Sequence, residues 1–145
     1  MNVGGFTTTA IDYAGGELGR LNADVCVFSE TKLSGALSVA NLATQLSTVA
    51  KQRVRLWAVN GPPVLDGDGL PCTSRQHGVA IAVADGSILV RELSRHPHGL
   101  IALALRRRGK AEILLVGTYL PPATSFAKER RLTLCLLYTS DAADE

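Results

Sequence analysis

The 145-residue sequence contains little that would fix a function by inspection. Its three cysteines, Cys26, Cys72 and Cys135, show neither metal nor disulfide spacing, which sets aside zinc-binding modules and disulfide frameworks. Cys26 lies within an apolar run and reads as a small core residue. A reducing, intracellular setting (cytoplasm or nucleus) is expected rather than secretion. A formal charge of +2 is too small to argue for nucleic acid by itself. The basic residues are scattered apart from Arg106, Arg107 and Arg108. Flanked by apolar runs and followed by Gly109 and Lys110, that triplet reads as a solvated hairpin turn, with a phosphate contact as the alternative. No long apolar run is present either. The longest uncharged stretch, Leu33 to Ala50, is rich in Ser, Thr, Asn and Gln and is no membrane span. No charged region leads into an apolar core at the start, so no secretory signal is expected.

Several chemical motifs are missing or broken. There is no Gly-x-Ser-x-Gly elbow, so a serine hydrolase has no support. "GGELG" lacks the Lys-Ser/Thr ending of a phosphate loop. "DGDG" from Asp66 could open a calcium loop, but His77 stands where that loop requires Glu. His77, His96 and His98 sit before a strand or in the loop "RHPHG" and read as surface histidines.

What remains is a folded domain. Hydrophobic residues make up 46% and charged residues 19%, which excludes disorder, and the length is that of one domain. The most informative stretch is "DVCVFSETKLSG", residues 24–35. Val25 to Phe28 form an uninterrupted apolar run, as in a strand covered on both faces. A carboxylate, Glu30, follows at its carboxyl end, where ligands gather in α/β sheets. Asn22 and Asp24 shape the turn that leads into it.

Around this strand the pattern is strand-and-helix. Ile11, Ala14, Leu18 and Leu21 fall at helical spacing and predict a helix over about 8–22, weakened by Gly15 and Gly16. Val39, Leu42, Leu46 and Val49 predict a second helix over about 36–51. "RVRLWAVNG" reads as a strand. Residues 61–77, dense in Gly, Pro and Asp, predict a long surface loop. Four strand candidates follow in succession, "GVAIAVA", "SILVREL", "GLIALALR" and "AEILLVGTYLPP", the last two joined through "RRGK" as a hairpin.

Three blocks in this order resemble the endonuclease/exonuclease/phosphatase superfamily: "NVGG" at Asn2 to Gly5, "DVCVFSETKL" at Asp24 to Leu33, and "GVAIAV…LVGTYLPP" from Gly78 to Pro122. The resemblance implies an α/β fold, the N-terminal part of a four-layered α/β sandwich with a mixed sheet and flanking helices. It implies phosphodiester hydrolysis with Mg²⁺, or Mn²⁺ in its place. Glu30 corresponds to the metal-binding glutamate, Asn2 to the asparagine beside it, and Tyr119 to the strand-end tyrosine that contacts phosphate. "ETKL" and "YLPP" look like retroelement endonucleases, making nucleic acid the expected substrate. A phospholipid or inositol phosphate phosphoesterase of the same fold, or a binding module with a degenerate site, is the alternative. No obligate protein partner is implied.

Plainer readings stand beside these. Glu30 could be an exposed carboxylate paired with Lys32, Asn2 a turn or helix-capping residue, and Tyr119 an amphipathic strand-end side chain. The family's later Gly-Asp-x-Asn and Ser-Asp-His blocks do not occur in this sequence. Residues 135–145, "CLLYTSDAADE", look like one frame of a sequencing-adapter sequence, so residues 1–134 are expected to be a truncated domain. An inactive chain with an exposed apolar sheet face, prone to associate, is the expectation.

Overall fold

In a computed structural model, residues 1–33, 38–61, 63–65, 67–75, 77–97 and 99–119 are described. The expected tail at 135–145, the "LPP" of "YLPP" and His98 lie outside them.

Two helices form where the apolar stripes predict. Helix α1 spans Thr8–Leu21. Thr7 caps it by accepting from the Ala10 N–H at 3.3 Å, and Asn22 closes it in the left-handed conformation. Helix α2 spans Val39–Ala50, and the Ser38 hydroxyl accepts from Asn41 N–H at 3.1 Å. That cap explains why α2 starts three residues later than its periodicity suggests. Gly15, read from sequence only as a weakness, has a packing role. A Cβ there would come within 2.7 Å of Val49 Cβ, so its absence lets α1 lie against α2.

Strand β1 (Val25–Ser29), β2 (Arg55–Val59) and β5 (Val79–Val83) form the first sheet in the order β1-β5-β2, both pairings antiparallel. Strand β6 (Leu89–His96), β7 (Leu100–Arg106) and β8 (Glu112–Thr118) form the second, an antiparallel meander. The parallel element of the expected mixed sheet is a single bridge between Asn2 and Ser29. Where a surface loop was predicted over 61–77, β3 (Pro63–Leu65) pairs with β4 (Pro71–Arg75) as a hairpin. The turn residues Asp68 and Gly69, the latter at φ +77°, reverse the chain, and both prolines sit at strand starts where no ladder N–H is needed.

Side-chain alternation on β5 sets the layers. Ala80 and Ala82 face the helices, in a core with Phe28, Leu18, Leu42 and Leu46. Val79, Ile81 and Val83 face the second sheet, in a core with Ile101, Leu103 and Leu105. Small alanines let the helices approach, while branched residues fill the gap between sheets. On β1, Cys26 and Phe28 serve the helix core, and Val25 and Val27 the inter-sheet core. The apolar run is therefore covered on both faces, as its sequence implies, by helices on one side and a sheet on the other. The described residues build helix, sheet and sheet, an α/β sandwich.

Candidate functional site

The site forms where three strand ends converge. β1 ends at Ser29, β5 starts opposite it with Val79 paired to Ser29, and β8 ends at Thr118. Gly117 makes the third approach close. A Cβ there would stand 3.2 Å from Ile81 and Val79 side chains, so the missing side chain allows β8 to press onto β5. Glu30, His77 and Tyr119, the residues just beyond these ends, are thereby brought together.

The Tyr119 hydroxyl donates to Glu30 Oε1 at 3.3 Å, joining residues 89 positions apart. The distance is long for an O–H···O bond. Burial pushes the Tyr119 phenol up from its ordinary pKa, and the Glu30 charge and hydrogen bond add to that. At neutral pH the phenol therefore remains a proton donor. Glu30 forms no ion pair with Lys32, so the plain surface-pair reading of this carboxylate does not hold.

The backbone at this tip is unusual. Glu30, Lys32 and His77 lie at φ +57°, +44° and +55°, values that L side chains adopt rarely. Cross-chain hydrogen bonds hold them there: Thr31 N–H to Gly78 O at 3.3 Å and Lys32 N–H to His77 O at 2.6 Å. Gly78, at φ +104°, is required twice over, since a Cβ on it would overlap the Thr31 hydroxyl. Strain of this kind, kept in place by surrounding bonds, is concentrated at functional sites.

Asn2 adjoins the same end through its bridge with Ser29, and the Val3 N–H donates to Ser29 O at 3.1 Å. Its Oδ1 accepts from Gly4 N–H at 2.9 Å, so the turn-forming reading of Asn2 is realised in geometry. The structure thus brings Glu30 and Tyr119 into contact and places Asn2 beside the strand that carries Glu30. Thr31 and Thr118, one residue from Glu30 and Tyr119, each bury a hydroxyl that has no hydrogen-bond partner among the described residues.

Two readings need correction. His77 is not a surface histidine: it is half-buried and its ring stacks on Tyr119, with centroids 4.5 Å apart and planes at 16°. The sequence signal was the residue pair His77-Gly78 directly before a fully apolar strand, a place where a backbone reversal is needed. Arg107 lies in a hairpin turn as predicted, but it is ion-paired rather than merely solvated. Its guanidinium binds Asp24 at 2.8 Å and Asp85 at 2.5 Å, tying the β7–β8 turn to the start of β1 and the end of β5. The Asp24 carbonyl accepts from Ala84 N–H at 2.8 Å, extending the β1–β5 pairing by one residue.

Comparison with known proteins places this geometry. No protein-family model and no curated protein matches the chain. Among solved structures, the chain is similar to an endonuclease/exonuclease/phosphatase family protein from Leptotrichia buccalis C-1013-b, with a TM-score of 0.59 and 12% identity. It is also similar to an endonuclease/exonuclease/phosphatase protein from Beutenbergia cavernae DSM 12333, with a TM-score of 0.52 and 16% identity. The likeness covers 93% and 79% of this chain, and 60% and 34% of those proteins. The fold is therefore the sandwich of the endonuclease/exonuclease/phosphatase proteins, of whose length this chain spans a part.

Proposed function

We propose that this chain is part of a divalent-metal-dependent phosphodiesterase whose substrate is nucleic acid. The observation that carries the reading is the convergence of Glu30, Tyr119 and the Asn2-bearing segment at one end of a sandwich shared with proteins described as endonucleases, exonucleases and phosphatases.

The residues fit a magnesium ion. Mg²⁺ takes hard oxygen donors and uses only one or two carboxylates, leaving water and phosphate to complete its shell. Glu30 would supply the carboxylate, and Asn2 Oδ1, which also accepts from Gly4 N–H, an amide oxygen through its second lone pair. Among the described residues no three His, Cys, Asp or Glu side chains gather. When bound, such an ion neutralises charge on the scissile phosphate and lowers the pKa of water. Glu30 would hold it, and the Tyr119 phenol, kept protonated, would donate to a phosphate oxygen. Because no Gly-Asp-x-Asn or Ser-Asp-His block occurs in the sequence, the chain by itself should not turn over substrate. Among the described residues no helix is long and apolar enough to cross a membrane.

Calorimetric titration with Mn²⁺ tests the reading. The wild-type chain should bind and Glu30→Gln should bind at least about tenfold more weakly, as loss of a charged oxygen ligand implies. Equal affinities would refute the role of Glu30. Metal-dependent cleavage of plasmid DNA by the purified chain would overturn the expectation of inactivity.

A further inference from the structure

His77 has no role in the proposed chemistry, yet it touches that site. Its imidazole lies on the Tyr119 ring at 4.5 Å and 16°, and its carbonyl accepts from Lys32 N–H at 2.6 Å. It also holds φ +55°, a left-handed value uncommon outside glycine that histidine, like asparagine and aspartate, adopts more often than other side chains. On the main-chain side, Tyr119 N–H donates to Gly99 O at 3.0 Å, and Gly99 sits at φ +83°, a left-handed value that favours glycine. The Tyr119 main chain is thus fixed by Gly99, which leaves rotation of its ring as the remaining freedom.

We infer that His77 is a positioning residue for Tyr119: its ring sets the plane of the phenol so that the hydroxyl reaches Glu30 Oε1. One imidazole-bearing segment then controls two features of the site. The ring orients Tyr119, and the His77 and Gly78 carbonyls hold the strained Glu30–Lys32 tip. The link to cation binding rests on the function proposed above, but the positioning claim does not.

Proton NMR on the metal-free chain separates the two. In the wild type, Tyr119 ring protons should be shifted upfield by the imidazole, with cross-relaxation from the Tyr119 ring both to His77 and to the Glu30 side chain. His77→Asn keeps a residue tolerant of positive φ and removes the ring. It should weaken the Tyr119–Glu30 contact by about threefold to tenfold, the range an aromatic pair's coupling gives. His77→Phe should restore it. Methyl signals of Ile81 and Leu103 serve as the control for an intact core. An unchanged Tyr119–Glu30 contact in a folded His77→Asn chain would overturn the inference. So would a wild-type spectrum without the His77–Tyr119 contact, whatever the variants do. Absence of Mn²⁺ binding with these contacts intact would instead strike the metal reading alone.

Discussion

Strand β5, at the centre of the first sheet, is buried at all five positions, whereas β8, at the edge of the second, exposes Ile113 and Leu114 by 64% and 62%. Leu89 on β6 is exposed by 60% as well. The first sheet is packed on both faces, by α1 and α2 and by the second sheet. Among the described residues the second is packed on one face, and its outer surface presents Leu114 and Val116 between charged side chains such as Arg91 and Glu112. The candidate site lies between these two differently covered sheets. Glu30 and His77 extend from the doubly covered sheet, and Tyr119 is pressed onto them from the singly covered one.

The largest loss of stability is expected within the first sheet. Phe28 is wholly buried and meets Phe6 edge to face at 5.3 Å. Phe28→Ala should cost about 3–5 kcal/mol, read as a lower denaturation midpoint with unchanged slope. A smaller loss is expected at the junction between the strand ends. Gly78→Ala forces a side chain into positive φ and against the Thr31 hydroxyl, at a cost of about 1–3 kcal/mol in thermal denaturation.

The electrostatic tie between the sheets should show only in acid. Ser87 N–H and hydroxyl, with Arg107 adding, hold the Asp85 carboxyl below its ordinary pKa. A depressed carboxyl stabilises the fold above its unfolded pKa and loses that contribution as pH falls through the folded value. Asp85→Asn should therefore flatten the pH dependence of the melting temperature below about pH 4 and leave the neutral region flat. The smallest effect on stability belongs to the open face. Leu114→Ser should change unfolding free energy by about 0.5 kcal/mol or less, while reducing self-association in sedimentation. An effect on stability as large as that of Phe28→Ala would show that this face is not open.

Much of this architecture was legible in the sequence because its signals are local. Ile11, Ala14 and Leu18 repeat at helical spacing, and the run Val25 to Phe28 marks a doubly covered strand. "RRGK" marks a hairpin. The β3–β4 hairpin was missed because Gly, Pro and Asp mark a reversal equally well in a loop or between short strands. Glu30 and Tyr119 could be nominated from their places at strand ends. Their contact across 89 residues depends on how closely two sheets pack, and Gly117 contributes to that closeness by leaving room for Val79 and Ile81. His77 was misread for the same reason. A histidine before a strand looks solvated until the second sheet arrives above it.

The proposed function requires Glu30 and Tyr119 to meet where a cation would bind. Tb³⁺, a hard cation that luminesces when a nearby aromatic ring transfers energy to it, reads both at once. Excitation of the wild-type chain should give sensitised emission that Mg²⁺ competes away. Tyr119→Phe should lose most of that emission while still binding the ion, and Glu30→Gln should lose the binding itself. Emission that persists unchanged in both variants would contradict the account.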